Sequence, residues 1–397
     1  MAPQDVWSLN SSVNFLRFRL AMGLSKRILA PVGVSTKAGE GQSHSTSYGD
    51  AGHPGERNTL VRTTPICILI FCLAAGACCA AGAHPAAAPA ATALDARIQR
   101  IAGEELDRIV AEWSPSRAVA VVLDPRSGEV LAMDGRAGRQ RASALASNQA
   151  WVTGSTLKTL TVAATLEEHT ITLEQRFGCG RRVIGGETFH DGSEAPCDTL
   201  DAAGVLAKSS NVGTSYVFDT LGSARLTLWL VKLHVGDAPG ELPKIEDDKT
   251  VRAVEFASGE VAKATPLQMA AAYAAIFNEG VYLAPSFGHH PSVGTRVLKE
   301  DTARTLVQML EGAVSGDGTG KGARIAGARV AGKTGTADAT DETGADVCYA
   351  SFVGSVLDRE PRFVALVGLE LPQGKATGAT AAAPAWGKLA SRILSDR

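Results

Sequence analysis

Segments that favour β-strands stand at both ends of residues 96–397, and segments that favour helices lie between them. Residues 118–124 (AVAVVLD) and 129–133 (EVLAM) are joined by a turn containing Pro and Gly, which predicts a hairpin. Residues 349–357 and 362–371 have the same character. We therefore expect an α+β fold, an α/β sandwich in which helices flank an antiparallel sheet and a helical subdomain is inserted. A cleft between sheet and subdomain is the natural place for a site.

The helical segments are marked by apolar periodicity and capping residues. Apolar residues recur at helical spacing over 95–113, which predicts an amphipathic helix that opens the folded domain. A second helix is expected to close the domain over 384–395. Over 265–278, Thr265 stands as an N-cap and Gln268 completes a capping box. These elements support helices on the flanks of the sheet and within the insertion.

An apolar segment within residues 61–83 bears on where the protein is located. Its apolar part, 65–83, follows Arg62 and ends in Ala-Gly-Ala, which is the layout of a secretory signal sequence. The length also approaches the ~20 residues of a membrane-spanning helix, so a membrane anchor is the alternative. A lipid-modified cysteine at Cys78 or Cys79 is a third reading. All three predict export, to the periplasm or to the outer side of the cytoplasmic membrane.

The segments around this leader differ from it in composition. Residues 1–60 are rich in Ser, Gly and His, and we expect them to be disordered or to result from a misassigned gene start, with the true start near Val61. N-terminal sequencing that recovers these residues from expressing cells would refute the second interpretation. Segment 84–95 is expected to be a Pro/Ala linker, and 96–397 the folded domain.

Charge and cysteine content exclude some classes of protein. A formal net charge of −2 and a pI near 6.5, without a block of Lys and Arg interleaved with aromatics, argue against nucleic-acid binding. Four of the seven cysteines fall in the apolar segment, which leaves Cys179, Cys197 and Cys348. Cys179 and Cys197 bracket a polar, Gly-rich loop, and either a disulfide or two reduced thiols is compatible with that position.

Several weak patterns do not indicate a site. His289–His290 and His190–Asp191 lack any accompanying metal-ligand spacing, so we expect no metal and no cofactor. The run GDGTGKGA at 316–323 has Gly322 where a phosphate loop needs Ser or Thr, so a flexible loop is expected. The chain has no G-x-S-x-G pattern, which argues against a Ser-His-Asp hydrolase.

The segment TGSTLKTL, residues 153–160, is a candidate for nucleophilic catalysis. If Ser155 opens a helix, Lys158 lies one turn further on the same face, where its amine can approach the serine oxygen. A serine needs a base in contact, and a lysine serves when burial and nearby charge lower its pKa. The helix N-terminus favours a developing oxyanion near the Ser155 N–H. By itself an S-x-x-K pattern has little weight, because it is common on exposed helix faces.

Two further patterns give the first one its weight. Residues 208–213 (KSSNVG) present the Ser209 hydroxyl and the Asn211 carboxamide, which suit a turn. The run AGKTGTA places Lys333 on a strand with hydroxyls beside it, and Gly335 would let a substrate backbone lie against that strand. The S-x-x-K, S-x-N and K-T-G patterns follow one another at separations of 54 and 124 residues. That order is typical of serine β-lactamases and penicillin-binding proteins.

The sequence resembles the transpeptidase domain of class B penicillin-binding proteins over about residues 118–395. The stretches similar to that family extend beyond the motifs: LDPRSGEVLAM, SSNVGT, TPLQMAAAYAAIFNEG, GTGKGARIAGARVAGKTGTA and YASFVGSV. The resemblance implies a serine D,D-transpeptidase that acts on the D-Ala-D-Ala stems of peptidoglycan and binds β-lactams covalently. It also implies the fold of that superfamily, and cell-wall synthesis proteins as partners.

The resemblance implies a role for each motif residue. Ser155 would be the acylated nucleophile and Lys158 its general base, while Ser209 would relay a proton to the departing D-alanine with assistance from Lys333. Asn211 would bind an amide carbonyl of the peptide. The terminal carboxylate would be held by Thr334 and Thr336 beside Gly335, and the N–H groups of Ser155 and Thr336 would form the oxyanion hole.

The chain departs from the family pattern in two places. Family members commonly have Pro-Gly before the nucleophile, where this chain has Thr153-Gly154, and we expect this to loosen the turn. Only about thirty residues separate the apolar segment from the first strand, so a large N-terminal pedestal domain is not expected. The second departure argues against membership of the protein complexes that carry out cell division or cell elongation.

Two alternatives share the acylation chemistry. A class A β-lactamase needs a glutamate-held water for deacylation, and Glu241 is a candidate for it, although GELP at 240–243 also resembles a transpeptidase segment. Class D β-lactamases usually have S-x-V in place of Ser209-x-Asn211, so Asn211 argues against that class. The other alternative is a β-lactam or muropeptide sensor that is acylated once and signals.

Overall fold

A computed structural model of the chain describes residues 94–192, 197–288, 293–341, 343–360 and 362–395. The predictions for the extension 1–60, the leader 61–83, most of the linker 84–95 and the pair His289–His290 lie outside these residues. Within the described ranges, no helix has the length and apolarity required to cross a membrane.

The long strands build one antiparallel sheet that joins the two ends of the domain. In chain order, the strands are β1 (Arg117–Leu123), β2 (Val130–Ala137), β3 (Gln140–Arg141), β4 (Trp151–Val152), β5 (Phe177–Gly178), β6 (Arg181–Ile184), β7 (Glu187–His190), β8 (Thr199–Leu200), β9 (Lys263–Ala264), β10 (Val281–Tyr282), β11 (Thr295–Arg296), β12 (Val330–Thr340), β13 (Asp346–Val356) and β14 (Val364–Pro372). Six of them pair in the order β12-β13-β14-β1-β2-β3, each antiparallel to its neighbours. The predicted hairpin and the predicted C-terminal strands are confirmed.

Helices lie between and around these strands. They are α1 (Ala96–Trp113), α2 (Leu145–Asn148), α3 (Leu157–Glu167), α4 (Ala202–Lys208), α5 (Asn211–Asp219), α6 (Ser223–Lys232), α7 (Val251–Ser258), α8 (Pro266–Phe277), α9 (Glu300–Ser315) and α10 (Ala383–Ser395). The predicted helices at 95–113, 265–278 and 384–395 correspond to α1, α8 and α10. At the start of α8, the Gln268 N–H donates to Thr265 Oγ1 at 3.1 Å and the Thr265 N–H donates to Gln268 Oε1 at 2.8 Å, which confirms the capping box.

The two faces of the sheet pack against different helices. Along β1, Val119, Val121 and Leu123 belong to the core shared with the inserted helices, including α3 and α8. The alternate residues Ala118, Ala120 and Val122 belong to a second core shared with α1 and α10. This alternation follows from the two-residue side-chain period of a strand and confirms an α+β sandwich.

The inserted region contains a loop closed by a disulfide. Cys179 and Cys197 are bonded, with their Cα atoms 5.6 Å apart, so of the two states compatible with the sequence the structure has the disulfide. Strands β6 and β7 form a hairpin inside this loop, and β5 pairs with β8 at its base. Cys348 is a free, buried thiol on β13.

Candidate active site

The Ser155 side chain lies in a 3₁₀ turn, Gly154–Thr156, that leads directly into α3. Thr153, the residue before this turn, is hydrogen-bonded to the segment that precedes α8. The Thr153 N–H donates to the Ala262 carbonyl at 3.0 Å, and the Thr153 hydroxyl donates to the Gly259 carbonyl at 3.1 Å. A proline at 153 has no N–H to donate. These hydrogen bonds hold the turn where family members have a proline, and the expectation that Thr153 loosens it stays a prediction.

Glycine is required where the nucleophile's turn meets β12. Gly154 has a φ of +55°, and a Cβ there would lie 3.0 Å from the Thr336 nitrogen. At Gly335, a Cβ would lie 3.0 Å from Thr156 Cγ2 and would also press on the Ser351 hydroxyl. The space beside Gly335 is thus filled by the protein, so packing requires this glycine, and an open path for substrate at Gly335 stays a prediction. The close contact brings the backbone of residues 154–156 against Thr336, which is compatible with the predicted oxyanion hole.

Lys158 is fully buried on α3 and contacts the S-x-N motif. Its ammonium donates to the Ser209 carbonyl oxygen at 2.8 Å and to Asn211 Oδ1. Burial lowers the pKa of Lys158 to about 8, and the carboxylates of Glu260 and Asp191 oppose that shift. A lysine with such a pKa is partly neutral near pH 7 and can accept a proton. Transfer from Ser155 itself stays a prediction, because catalytic hydrogen bonds often tighten only when substrate binds.

The S-x-N motif forms the predicted turn between two helices. Ser209 ends α4 in the left-handed region at a φ of +56°, Ser210 is the N-cap of α5, and Asn211 is the first residue of α5. A serine in this conformation costs free energy and persists where surrounding contacts hold it. The turn places the Ser209 hydroxyl, the Ser209 carbonyl and the Asn211 carboxamide within reach of neighbouring elements.

Lys333 is the second fully buried amine, and it lies on β12 as predicted. It donates to the Ser209 hydroxyl at 2.8 Å and to the Thr334 carbonyl at 3.1 Å. Burial, and after it the charge of Lys158, hold the pKa of Lys333 well below its usual value. Ser209 therefore contacts both amines, Lys158 through its carbonyl and Lys333 through its hydroxyl. The Ser209 hydroxyl can therefore exchange a proton with Lys333, whereas the Ser209 carbonyl positions the Lys158 amine and relays no proton.

The threonines of β12 also have defined partners. Thr334 Oγ1 lies 2.6 Å from Thr319 Oγ1, and Thr336 Oγ1 accepts the Gly378 N–H at 3.0 Å. Thr319 belongs to the 316–323 loop, and its own N–H donates to the Ala207 carbonyl at 3.0 Å. No sequence motif indicated Thr319 as part of the site, because its contact with β12 depends on the path of the chain after α9. Both hydroxyls of the K-T-G-T run are thus held on the strand.

Strand β12 is at the edge of the six-stranded sheet. Among the described strands it pairs with β13 alone, so one row of its backbone groups is left for other partners. An extended peptide binds such an edge by adding a strand. Residues 330–335 of the strand are buried and Thr156 packs beside Gly335, so a peptide that passes Lys333 and Thr336 along this edge stays a prediction.

Glu260 is a half-buried carboxylate near Lys158 that no sequence motif indicated. Burial raises the pKa of Glu260, and the charge of Lys158 opposes that shift. The backbone next to Glu260 is held close to the Ser155 turn, because the carbonyl of the preceding residue, Gly259, accepts the Gly154 N–H at 2.9 Å. Glu241, the candidate for β-lactamase chemistry, is instead exposed and pairs with Lys263 at 3.5 Å.

The described residues contain no group of three His, Cys, Asp or Glu side chains that could hold a metal ion.

Comparison with known proteins gives a family model and named relatives. Residues 118–394 match the model described as the penicillin binding protein transpeptidase domain. The probable peptidoglycan D,D-transpeptidase PenA of Neisseria meningitidis is 30% identical over 302 residues, which cover 70% of this chain and 52% of that protein. The peptidoglycan D,D-transpeptidase FtsI of Escherichia coli is 30% identical over 332 residues, covering 77% of this chain and 55% of that protein. The chain thus spans about half the length of the curated relatives it matches.

Solved structures of the same kind share the fold. The transpeptidase domain of penicillin-binding protein 3 from Burkholderia pseudomallei superposes with a TM-score of 0.67 at 28% identity, covering 77% of this chain and 96% of that one. Penicillin-binding protein 3 from Mycobacterium tuberculosis, in complex with aztreonam, has a TM-score of 0.67 at 28% identity and covers 76% and 78% of the two chains. The resemblance indicated by the sequence motifs is confirmed.

Proposed function

The chain belongs to the penicillin-binding protein transpeptidase family, and from this we propose that it is a serine D,D-transpeptidase acting on the D-Ala-D-Ala stems of peptidoglycan. One observation carries the proposal: Ser209 contacts both buried amines, beside a turn that presents Ser155. This arrangement supports proton transfer in both directions, first away from the nucleophile and then to the leaving group.

In the acylation step, the Ser155 oxygen attacks the carbonyl carbon of the penultimate D-alanine. The hydroxyl proton passes to the neutral amine of Lys158, and the negative charge on the carbonyl oxygen is stabilised by the N–H groups of Ser155 and Thr336. The C–N bond then breaks, and the departing D-alanine amine takes the proton of the Ser209 hydroxyl, which Lys333 replaces through its hydrogen bond of 2.8 Å to that hydroxyl. The products are an ester at Ser155 and free D-alanine, and the proton gained by Lys158 equals the one given up by Lys333.

Substrate binding is assigned to the strand edge and the S-x-N turn. A stem peptide that adds to β12 would place its terminal carboxylate near Thr334 and Thr336, with the positive charge of Lys333 close by. Asn211 Oδ1 already accepts from Lys158, which leaves the amide N–H₂ of Asn211 to donate to a peptide carbonyl.

In the second step, an amine from another stem attacks the Ser155 ester and forms the cross-link. Water in place of the amine would make the protein a carboxypeptidase or a β-lactamase. The location of Glu241 speaks against the class A β-lactamase route, since this side chain is exposed and pairs with Lys263. A β-lactam would acylate Ser155 by the same attack, with its ring nitrogen as the retained leaving group.

The proposal includes a location and partners. The proposed substrate lies outside the cytoplasm, so we place the domain in the periplasm or on the outer side of the cytoplasmic membrane, which is also what the leader predicted at 61–83 would require. Cell-wall synthesis proteins are the expected partners.

The test uses a pentapeptide donor ending in D-Ala-D-Ala, with and without an amine acceptor. A transpeptidase releases D-alanine and forms the peptide joined to the amine, whereas release without a joined product indicates hydrolysis. A fluorescent penicillin followed by an unlabelled chase separates the alternatives: rapid loss of label identifies a β-lactamase. Persistent label without any peptide product identifies a sensor. Absence of both label and D-alanine release overturns the proposal.

A further inference from the structure

Asp191 makes an unusual set of hydrogen bonds beside the S-x-N motif. Its carboxylate accepts the Val212 N–H at 2.9 Å and the Gly180 N–H at 2.8 Å. The Ser210 hydroxyl, 2.9 Å from Oδ1 and 2.8 Å from Oδ2, donates to the same group. The carboxylate therefore joins the disulfide-closed loop to the first turn of α5.

The contact with Ser210 holds the centre of the motif. The Ser210 hydroxyl also accepts the Gly213 N–H at 2.7 Å, so this one side chain both caps α5 and binds Asp191. Ser209 on one side has the left-handed conformation, and Asn211 on the other contacts Lys158. A shift of Ser210 would thus move both groups that contact the buried amines.

We propose that Asp191 is a positioning residue for acyl transfer, which holds Ser210 and the start of α5 so that Ser209 and Asn211 reach Lys333 and Lys158. The inference rests on the proposed function. Asp191 contacts no reacting atom and acts through the motif. Sequence reasoning considered His190–Asp191 only as a metal pair and missed this role, because the partners are 19 residues away in the chain.

The loop that carries Asp191 is itself fixed at its base. Gly180, which donates to Asp191, follows Cys179, and the Cys179–Cys197 disulfide closes the loop around the β6–β7 hairpin. The carboxylate therefore reaches α5 from a covalently closed element. A carboxylate at the N-terminus of α5 also interacts favourably with the helix dipole.

Asp191 has an electrostatic effect that a purely structural contact would lack. Lys158 is faced by the carboxylates of Asp191 and Glu260 and by the amine of Lys333. The Asp191 charge raises the pKa of Lys158 against the effect of burial. Loss of that charge should let Lys158 lose its proton at lower pH, so the rise of the acylation rate with pH should move in the acid direction.

The experiment measures the second-order rate of Ser155 acylation by a fluorescent penicillin, its pH profile and the melting temperature. The variants are Asp191→Asn, Asp191→Ala and Ser210→Ala. The control is Asp248→Asn, since Asp248 accepts the Ser223 N–H at 3.1 Å at the start of α6 and is outside the site. We expect the rate to fall about 10- to 100-fold in Asp191→Ala, as for a small misplacement of catalytic groups, and less in Asp191→Asn.

The double variant Asp191→Ala/Ser210→Ala should be little slower than the slower single variant, because both changes break the same link. Wild-type rates and pH profiles in folded Asp191 variants, or equal losses in Asp191→Asn and Asp248→Asn, would overturn the inference. Should Asp191→Ala fail to fold, Asp191→Asn and Ser210→Ala decide the question. Failure of the proposed function is separate, since it is measured on the wild-type protein, which would then take up no label or form no joined peptide product.

Discussion

Helices α3 and α10 belong to cores on opposite faces of the sheet and bury very different side chains. The buried residues of α10 are all apolar or glycine, with Trp386 and Leu389 among them. On α3 the nine consecutive residues 157–165 are all buried, and they include Lys158 and three threonines. One helix thus stabilises the fold, while the other holds polar groups where chemistry needs them.

The difference shows how the molecule separates stability from function. An apolar side chain gains free energy on burial, whereas a buried amine loses its hydration. Lys158 and Lys333 recover part of that loss through hydrogen bonds to Ser209. The same burial lowers the pKa of both amines, to about 8 for Lys158, which makes the neutral form of these groups easier to reach.

The largest expected effect is on catalysis, in Lys158→Met. Loss of the general base should slow acylation by fluorescent penicillin about 10²- to 10⁴-fold. The melting temperature should change little, because avoiding the desolvation of a buried amine offsets the loss of a donor to the Ser209 carbonyl and Asn211 Oδ1. Lys388→Met is the control on α10, where the lysine is exposed, and it should change neither quantity. A large fall in melting temperature for Lys158→Met would show that the lysine serves stability instead.

Truncation of one leucine on each helix should separate the two roles. Leu389 on α10 and Leu160 on α3 are both fully buried. We expect each change to alanine to lower the free energy of unfolding by about 2 to 5 kcal/mol, measured by denaturant titration. Folded Leu389→Ala should acylate at the wild-type rate, whereas Leu160→Ala should be slower because α3 carries Lys158. Equal acylation rates in the two variants would remove the contrast between the helices.

A smaller effect is expected from Gly154→Ala, with Gly138→Ala as its control. Both glycines have a φ of +55°, but a Cβ at Gly138 meets open space while one at Gly154 meets the Thr336 backbone. Each alanine should cost about 1 to 2 kcal/mol of stability through the left-handed backbone. Only Gly154→Ala should also slow acylation, by moving the nucleophile's turn away from β12. Normal acylation in Gly154→Ala would mean that this close contact has no role in catalysis.

The smallest effect is a shift of the pH profile in Glu260→Gln. The Glu260 charge raises the pKa of Lys158, so its removal lowers that pKa. Since the general base has to be neutral, the acylation rate should then rise with pH at lower pH than in the wild type. Glu241→Gln removes an exposed carboxylate that pairs with Lys263, and it should leave the profile in place. An unchanged profile in Glu260→Gln would show that the two groups do not interact.

The elements that the sequence predicted are those with strong local signals. Apolar periodicity indicated α1, the capping box indicated the start of α8, and alternating β-formers indicated β1 and β13. The short strands were not predicted, because two-residue pairs such as β4 with β9 are determined by contacts between distant segments.

In the candidate site, too, the residues marked by local sequence motifs were predicted, and those that depend on distant contacts were not. Ordered motifs mark Ser155, Lys158, Ser209 and Lys333 in the sequence. The structure brings the last three into contact, even though Lys333 and Ser209 are 124 residues apart. Asp191 and Thr319 were missed because each is an ordinary loop residue until the fold brings it to the motif. The hydrogen bonds of Thr153 were not predicted, since they go to carbonyls more than a hundred residues away.

The most direct test of the account is the mass of the protein after incubation with a penicillin. Ring opening adds the whole β-lactam and loses no atoms, so the mass should increase by that of one penicillin molecule. Peptide mapping should place the adduct on Ser155, and Ser155→Ala should acquire none. An unmodified wild-type protein, or an adduct on any other residue, would contradict the assignment of Ser155 as the nucleophile.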